Sequence, residues 1–129
     1  MIAPIVAVLL AAVAPAKAAT PDGCPDAPTA IEAIQRLTMT QHFRPGWVRA
    51  IDRFEFGPVT YGDPFSGPVP TTDAFVMICP VFVAYTFTIA YKSGEERRVR
   101  GGRNIIHGFF RDVFDEWTVR AIRGADQVQ

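Results

Sequence analysis

Phe75-Val76-Met77-Ile78-Cys79-Pro80-Val81-Phe82-Val83-Ala84-Tyr85-Thr86-Phe87-Thr88-Ile89-Ala90-Tyr91-Lys92 is the most β-forming stretch of this 129-residue chain. Branched and aromatic side chains dominate it, and such side chains fit a pleated, half-buried surface. Pro80 interrupts the run, and a residue without an N–H belongs at a sheet edge or a bulge. Beyond it, Val81, Val83, Tyr85, Phe87, Ile89 and Tyr91 share one face, and Ala84, Thr86, Thr88 and Lys92 share the other. That alternation sets an apolar face against a core. Ser93-Gly94 reads as a turn, and the charged run Glu95 to Arg100 as a solvated strand end or loop.

Upstream, Trp47 to Phe56 alternates in the same way. Val48, Ala50, Phe54 and Phe56 point to one side, and Arg49, Arg53 and Glu55 to the other. Residues 57–73 are punctuated by Pro and Gly and read as a long irregular loop, a usual home for functional surface. A helix is expected from Thr29, where Thr29-Ala30-Ile31-Glu32 has capping-box form. Ile31, Ile34 and Leu37 give it an apolar stripe, and Pro45 stops it near His42. Residues 20–28 are turn formers and read as an extended leader.

Downstream, apolar residues recur every four positions from Ile105 to Trp117, which suits a helix capped by Asn104. Gly108 and the β-forming runs Ile-Ile-His-Gly-Phe-Phe and Trp-Thr-Val-Arg-Ala-Ile favour two strands instead. These are placed at about 99–111 and 116–123, joined by a turn at Asp112 to Asp115. The expected architecture is α+β: one N-terminal helix packed on a curved antiparallel sheet of four to five strands.

Ile2 to Val13 is almost unbroken apolar sequence, followed by Ala14-Pro15-Ala16-Lys17-Ala18-Ala19. Ala16-x-Ala18 has the small residues that a signal peptidase requires, so residues 1–19 read as a secretory signal peptide. Pro4, Pro15 and Lys17 leave the run short of the roughly 20 apolar residues that span a bilayer. Cys24 lies too far from the cleavage point for a lipoprotein. The expected product is secreted or periplasmic, with no membrane insertion after cleavage. It comprises a single domain over residues 29–123 and a C-terminal tail, 124–129.

Thirteen basic and thirteen acidic residues leave the chain neutral. It therefore lacks the positive field of a nucleic-acid binder. In an oxidising compartment, Cys24 and Cys79 are expected to form a structural disulfide. A redox pair would carry C-x-x-C spacing, which is absent.

The run Cys79-Pro80-Val81-x-Val83, the strand ending Tyr91-Lys92-x-Gly94, and Phe109-Phe110-Arg111-Asp112-x-Phe114-x-Glu116-Trp117-x-Val119 resemble the closing strands of small secreted cystatin-like and NTF2-like domains. The resemblance covers about half of the mature chain and implies a fold. The Gln-x-Val-x-Gly inhibitory signature of cystatins is missing, only one helix is readable, and Asp115 stands where such a hairpin commonly has Gly.

Few residues invite chemistry. By strict alternation Asp52 shares the face of Val48 and Phe54, and a carboxylate in apolar surroundings can act as a general acid or base. With Tyr85 or Tyr91 supplying phenolic hydrogen bonds, it would resemble the ketosteroid-isomerase-type sites of the NTF2-like group, a lyase or isomerase. The plainer reading leaves Asp52 in water or paired with an arginine. His42 and His107 are too few and too scattered for a zinc site, so neither a metal nor a cofactor is expected. Ser66 and Ser93 lack a nucleophile-elbow context.

Ten Phe, three Tyr and two Trp are more aromatics than a one-helix core should hold. Phe54, Phe87 and Trp117 are therefore expected on an exposed ligand or partner surface. The leading expectation is a noncatalytic domain that binds a partner protein or small apolar ligand through the open face of its sheet. The enzyme built on Asp52 is the alternative, and a protein inhibitor acting through the 57–73 loop is a third possibility.

Overall fold

The structure, a computed structural model, describes residues 20–69 and 74–123. The expected signal peptide and the C-terminal tail lie outside the described residues.

The helix α1 spans Ala27–His42. Its cap is Asp26, one turn earlier than the Thr29 cap expected from sequence. The Asp26 carboxylate accepts from the Thr29 N–H at 3.0 Å, and Pro28 falls in the first turn, where its missing N–H costs nothing. The buried line along the helix is Ala30, Ile34 and Thr38. Thr38 is accommodated there because its hydroxyl donates to the Ile34 carbonyl at 2.8 Å.

Eight strands follow, all antiparallel where paired. They are β1 (Val48–Phe56), β2 (Thr60–Tyr61), β3 (Phe65–Pro68), β4 (Phe75–Phe82), β5 (Tyr85–Tyr91), β6 (Glu96–Gly101), β7 (Ile106–Arg111) and β8 (Trp117–Arg123). They form two sheets, where one of four to five strands was expected. The first has the order β1-β5-β6. The second has the order β2-β4-β7-β8, with β3 also on β4.

The two sheets arise because the long β run divides at Val83–Ala84, not at Pro80. The chain leaves one sheet there and enters the other. The expected strand 99–111 divides opposite that point, between Gly101 and Ile106. Gly57 ties the seam by donating to the Ala84 carbonyl at 2.8 Å. Gly102, at φ +79°, lies so close to Val83 that a Cβ would stand 2.1 Å from its carbonyl oxygen. Only glycine fits that crossing.

Pro80 sits inside β4, opposite Gly108. Its carbonyl accepts from the Gly62 N–H at 2.9 Å. Its ring nitrogen faces the same side, in the gap between β3, which pairs Phe75 to Ile78, and β2, which pairs Val81 and Phe82. The missing donor therefore breaks no ladder bond. Residues 57–69, expected to be irregular, contain these two short strands.

One core joins the layers: Ala30 and Ile34 from α1, Val48 and Ile51 from β1, Tyr61, Cys79, Val81, Val83, Tyr85, Phe87, Ile89 and Phe109. Cys24 and Cys79 form the expected disulfide, with a Cα–Cα distance of 5.5 Å. It fastens the leader to β4, and the buried Tyr61 hydroxyl holds the same segment by donating to the Pro25 carbonyl at 2.9 Å. Among the described residues no helix is long and apolar enough to cross a membrane.

Candidate functional site

Asp52 does not face the core. β1 is out of regular register with β5 between Val48 and Ala50 and again between Asp52 and Glu55. The first irregularity turns Ile51 inward, where it is 6% exposed. Asp52 then lies opposite Thr88 on the outer face, exposed. Arg53, at φ +57°, absorbs the second. Strict alternation fails because a bulge inserts one residue and reverses the face of all that follow.

Tyr85 is buried, and its hydroxyl is 3.1 Å from the Thr38 hydroxyl. Burial raises its pKa, an effect that the Thr38 hydrogen bond partly offsets. Tyr91 lies at the far end of β5, opposite Val48. Asp52, Tyr85 and Tyr91 therefore do not converge on one point.

The outer face of the first sheet is polar and largely closed on itself. The Arg98 guanidinium donates to the Arg53 carbonyl (2.9 Å), Thr88 Oγ1 (2.8 Å), Thr86 Oγ1 (2.7 Å) and Glu55 Oε1 (2.9 Å). Arg53 forks onto both oxygens of Glu96 at 3.3 and 3.2 Å. Arg53, Arg98, Glu55 and Glu96 thus satisfy one another within the sheet.

Of the aromatics expected at a binding surface, Phe87 is buried and Phe54 and Trp117 are half-buried against the core. Phe87 is 1% exposed. Phe54 is half-buried and stacks on Phe56 and Phe87, with ring centroids 5.9 and 5.3 Å away. Trp117 packs edge-on against Phe109 at 6.5 Å, with the Arg111 guanidinium 4.4 Å above its ring. Two sheets and a helix enclose these three side chains, and the exposed aromatics are others: Phe43, Trp47, Phe65, Phe75 and Phe114.

His107 is 2% exposed, and its Nδ1 has no hydrogen-bond partner among the described residues. Burial lowers its pKa to about 4, so the ring is neutral. His42 packs at a tilt against Phe87, ring centroids 5.2 Å apart, and burial, then Arg44 and Arg97, lower its pKa. Among the described residues no three His, Cys, Asp or Glu side chains gather as metal ligands would.

Among the described residues two concave regions stand out. The first, about 500 Å³, opens at the seam between the sheets, with Phe56, Ala84 and Tyr85 bordered by Glu55, Arg100 and Arg103. It is wide and solvent-facing. The second, about 430 Å³, lies on the outer face of the second sheet. Phe65, Ile78, Phe110 and Ile122 wall it, Gly108 lies on its floor, and Arg120 also lines it.

The sheet builds this second groove by register. Phe65 pairs with Ile78 across β3 and β4, so both side chains share the face opposite Cys79 and Phe109. A Cβ at Gly108 would come within 3.0 Å of Ile78 and 3.1 Å of Ile122, so glycine keeps the floor open. Phe65 and Ile122 are 42% and 37% exposed, and no described element covers them. Sequence reading missed this face, although the doublet Phe109-Phe110 signals it: adjacent strand residues point to opposite sides, so one of the two must leave the core.

No family model matches the chain, and neither the curated proteins nor the solved structures include a match to it.

Proposed function

We propose that this is a noncatalytic binding domain that takes a small apolar ligand on the outer face of its five-stranded sheet. One observation carries the reading: the groove formed by Phe65, Ile78, Phe110 and Ile122 is apolar, uncovered and about 430 Å³, within the range of small-molecule sites. The sheet on which it rests is stapled by the disulfide and backed by the core, so the groove is preformed. The resemblance to cystatin-like and NTF2-like domains, where a sheet supports varied binding roles, is compatible with this use. An acid–base site on Asp52 gains no such support, since Asp52 faces water on the other sheet.

The test uses an apolar fluorophore, bis-ANS, titrated into the folded protein. Ile122→Asp is expected to weaken the probe by about tenfold or more, since an ionised carboxylate resists desolvation. Arg103→Ala, in the other groove, leaves it unchanged. Equal probe binding by wild type and Ile122→Asp, at equal melting temperature, overturns the proposal.

A further inference from the structure

We propose that the free edge of β8 pairs with β8 of a second copy of this chain, antiparallel and centred on Thr118. β8 is the outermost strand beyond β7, and no described strand or loop bonds to its other side. An unpaired edge is a template for another strand. The remaining edges are blunted. β1 carries two register shifts, β6 presents Glu96, Arg97, Arg98 and Arg100, and β2 and β3 are two and four residues long. β8 has seven residues, with an irregularity only near its end, opposite Ile106 and His107.

The phase of the hydrogen bonds at this edge follows from the hairpin. Asp112 N–H donates to the Glu116 carbonyl at 2.9 Å. Alternation then turns the backbone groups of Thr118 and Arg120 toward β7, and those of Trp117 and Val119 outward. In the centred register, Trp117 meets Val119 of the second copy as hydrogen-bonded pairs on both sides of the axis. Thr118 faces Thr118, and Glu116 faces Arg120 twice, in the closer, non-hydrogen-bonded positions.

Charge selects this register. Glu116 and Arg120 are both exposed and take no part in the ion pairs among the described residues. Centring on Val119 would leave both charges unmatched, and centring on Arg120 would oppose it to itself. The same register runs the hairpin tip along the second copy's strand toward Ile122. That tip carries Val113 and Phe114, which are 92% and 78% exposed. It is held firm: Asp112 Oδ1 accepts from Phe114 N–H (2.8 Å) and Glu116 N–H (3.0 Å). Association would therefore cover the most exposed apolar pair on the described surface. The pairing shares Arg120 and Ile122 with the groove but rests on the strand edge and its charges, and needs no ligand in the groove.

The experiment places one cysteine at the axis. Thr118→Cys, oxidised with the native disulfide intact, is expected to give a covalent dimer, because a non-hydrogen-bonded pair brings the two cysteines within bridging reach. Arg120→Cys, which faces Glu116, should not. In sedimentation equilibrium, Glu116→Arg and Arg120→Glu should each weaken the dimer by about tenfold or more, since each error occurs twice. The double exchange should restore it to within about threefold of wild type. A wild-type chain monomeric at every accessible concentration overturns the inference, as does Arg120→Cys cross-linking as readily as Thr118→Cys. Bis-ANS binding by a strictly monomeric chain would leave the groove reading intact while this one fails.

Discussion

Replacing His107 by leucine should remove most of the protein's loss of stability between neutral and mildly acidic pH. The ring is enclosed by the sheet, its Nδ1 lacks a partner among the described residues, and burial lowers its pKa from 6.5 to about 4. In the unfolded chain the same imidazole titrates near 6.5. Above that pH it is neutral in both states and contributes no pH dependence. Between 6.5 and about 4 the unfolded chain binds a proton that the folded one refuses, so stability falls as pH falls. Below about 4 both states are protonated and the loss levels off. A difference of about 2.5 units at 1.36 kcal/mol each gives about 3 kcal/mol for the whole interval. Urea unfolding followed by tryptophan fluorescence at a series of pH values from about 7 to about 4.5 would measure it. His42 also has a lowered pKa, and the Asp26 and Asp112 carboxylates titrate below their usual value. All three are common to both proteins and cancel in the difference. The substitution also removes an unsatisfied polar atom, so at neutral pH the variant should lose no more stability than its altered side-chain shape costs. If His107→Leu loses stability on acidification as steeply as wild type, His107 is not the group that titrates.

Two further changes test the framework. Gly102→Ala and Gly94→Ala both place a side chain at positive φ, at +79° and +99°, which costs roughly 1–2 kcal/mol. Gly94 has open space around it, whereas at Gly102 the new Cβ meets the Val83 carbonyl. Gly102→Ala should therefore be worse by about 2 kcal/mol or more in urea unfolding, and equal losses would refute the close crossing at the seam. Cys79→Ala should lower the melting temperature under oxidising conditions, because the bridge closes a separation of 55 residues. In the chain-entropy model that is worth about 4 kcal/mol. After full reduction the two proteins should differ only by the packing of one sulfur, so an equal gap in both states would remove the bridge from the account.

The fold was legible wherever a local rule acts without competition. The alternation from Val81 to Ile89 becomes the buried face of β4 and β5, and Ser93-Gly94 makes the turn. The helix ends at His42, and the hairpin closes over Asp112 to Asp115, with Asp115 taking φ +62° where Gly is usual. The Cys24–Cys79 bridge followed from the expected compartment. Illegible were the points where one chain serves two sheets. Nothing in Val83-Ala84 marks a strand end as strongly as Pro80 does, yet Pro80 keeps its place because its nitrogen points into a gap between two neighbours. That gap is set by β2 and β3, and no local pattern reveals it.

The candidate site was hidden by the same cause. A face assignment carried along a strand is only as good as the absence of bulges, and β1 has two departures from register within nine residues. Asp52 therefore takes the plainer of its two expected places, in water, on the polar face on which Arg98 binds Thr86, Thr88 and Glu55. The apolar groove arises on the opposite logic. Phe65, Ile78, Phe110 and Ile122 come from separate strands and meet only because β3, β4, β7 and β8 lie side by side. Each looks like ordinary core in its own stretch. What separates them from the core is parity: Cys79 and Phe109 take the inner face, so Ile78 and Phe110 must take the outer one. A sheet covered by a helix on one side only, with large apolar residues on both, has one face left to be covered by something else. That asymmetry makes binding the reading that the fold supports best.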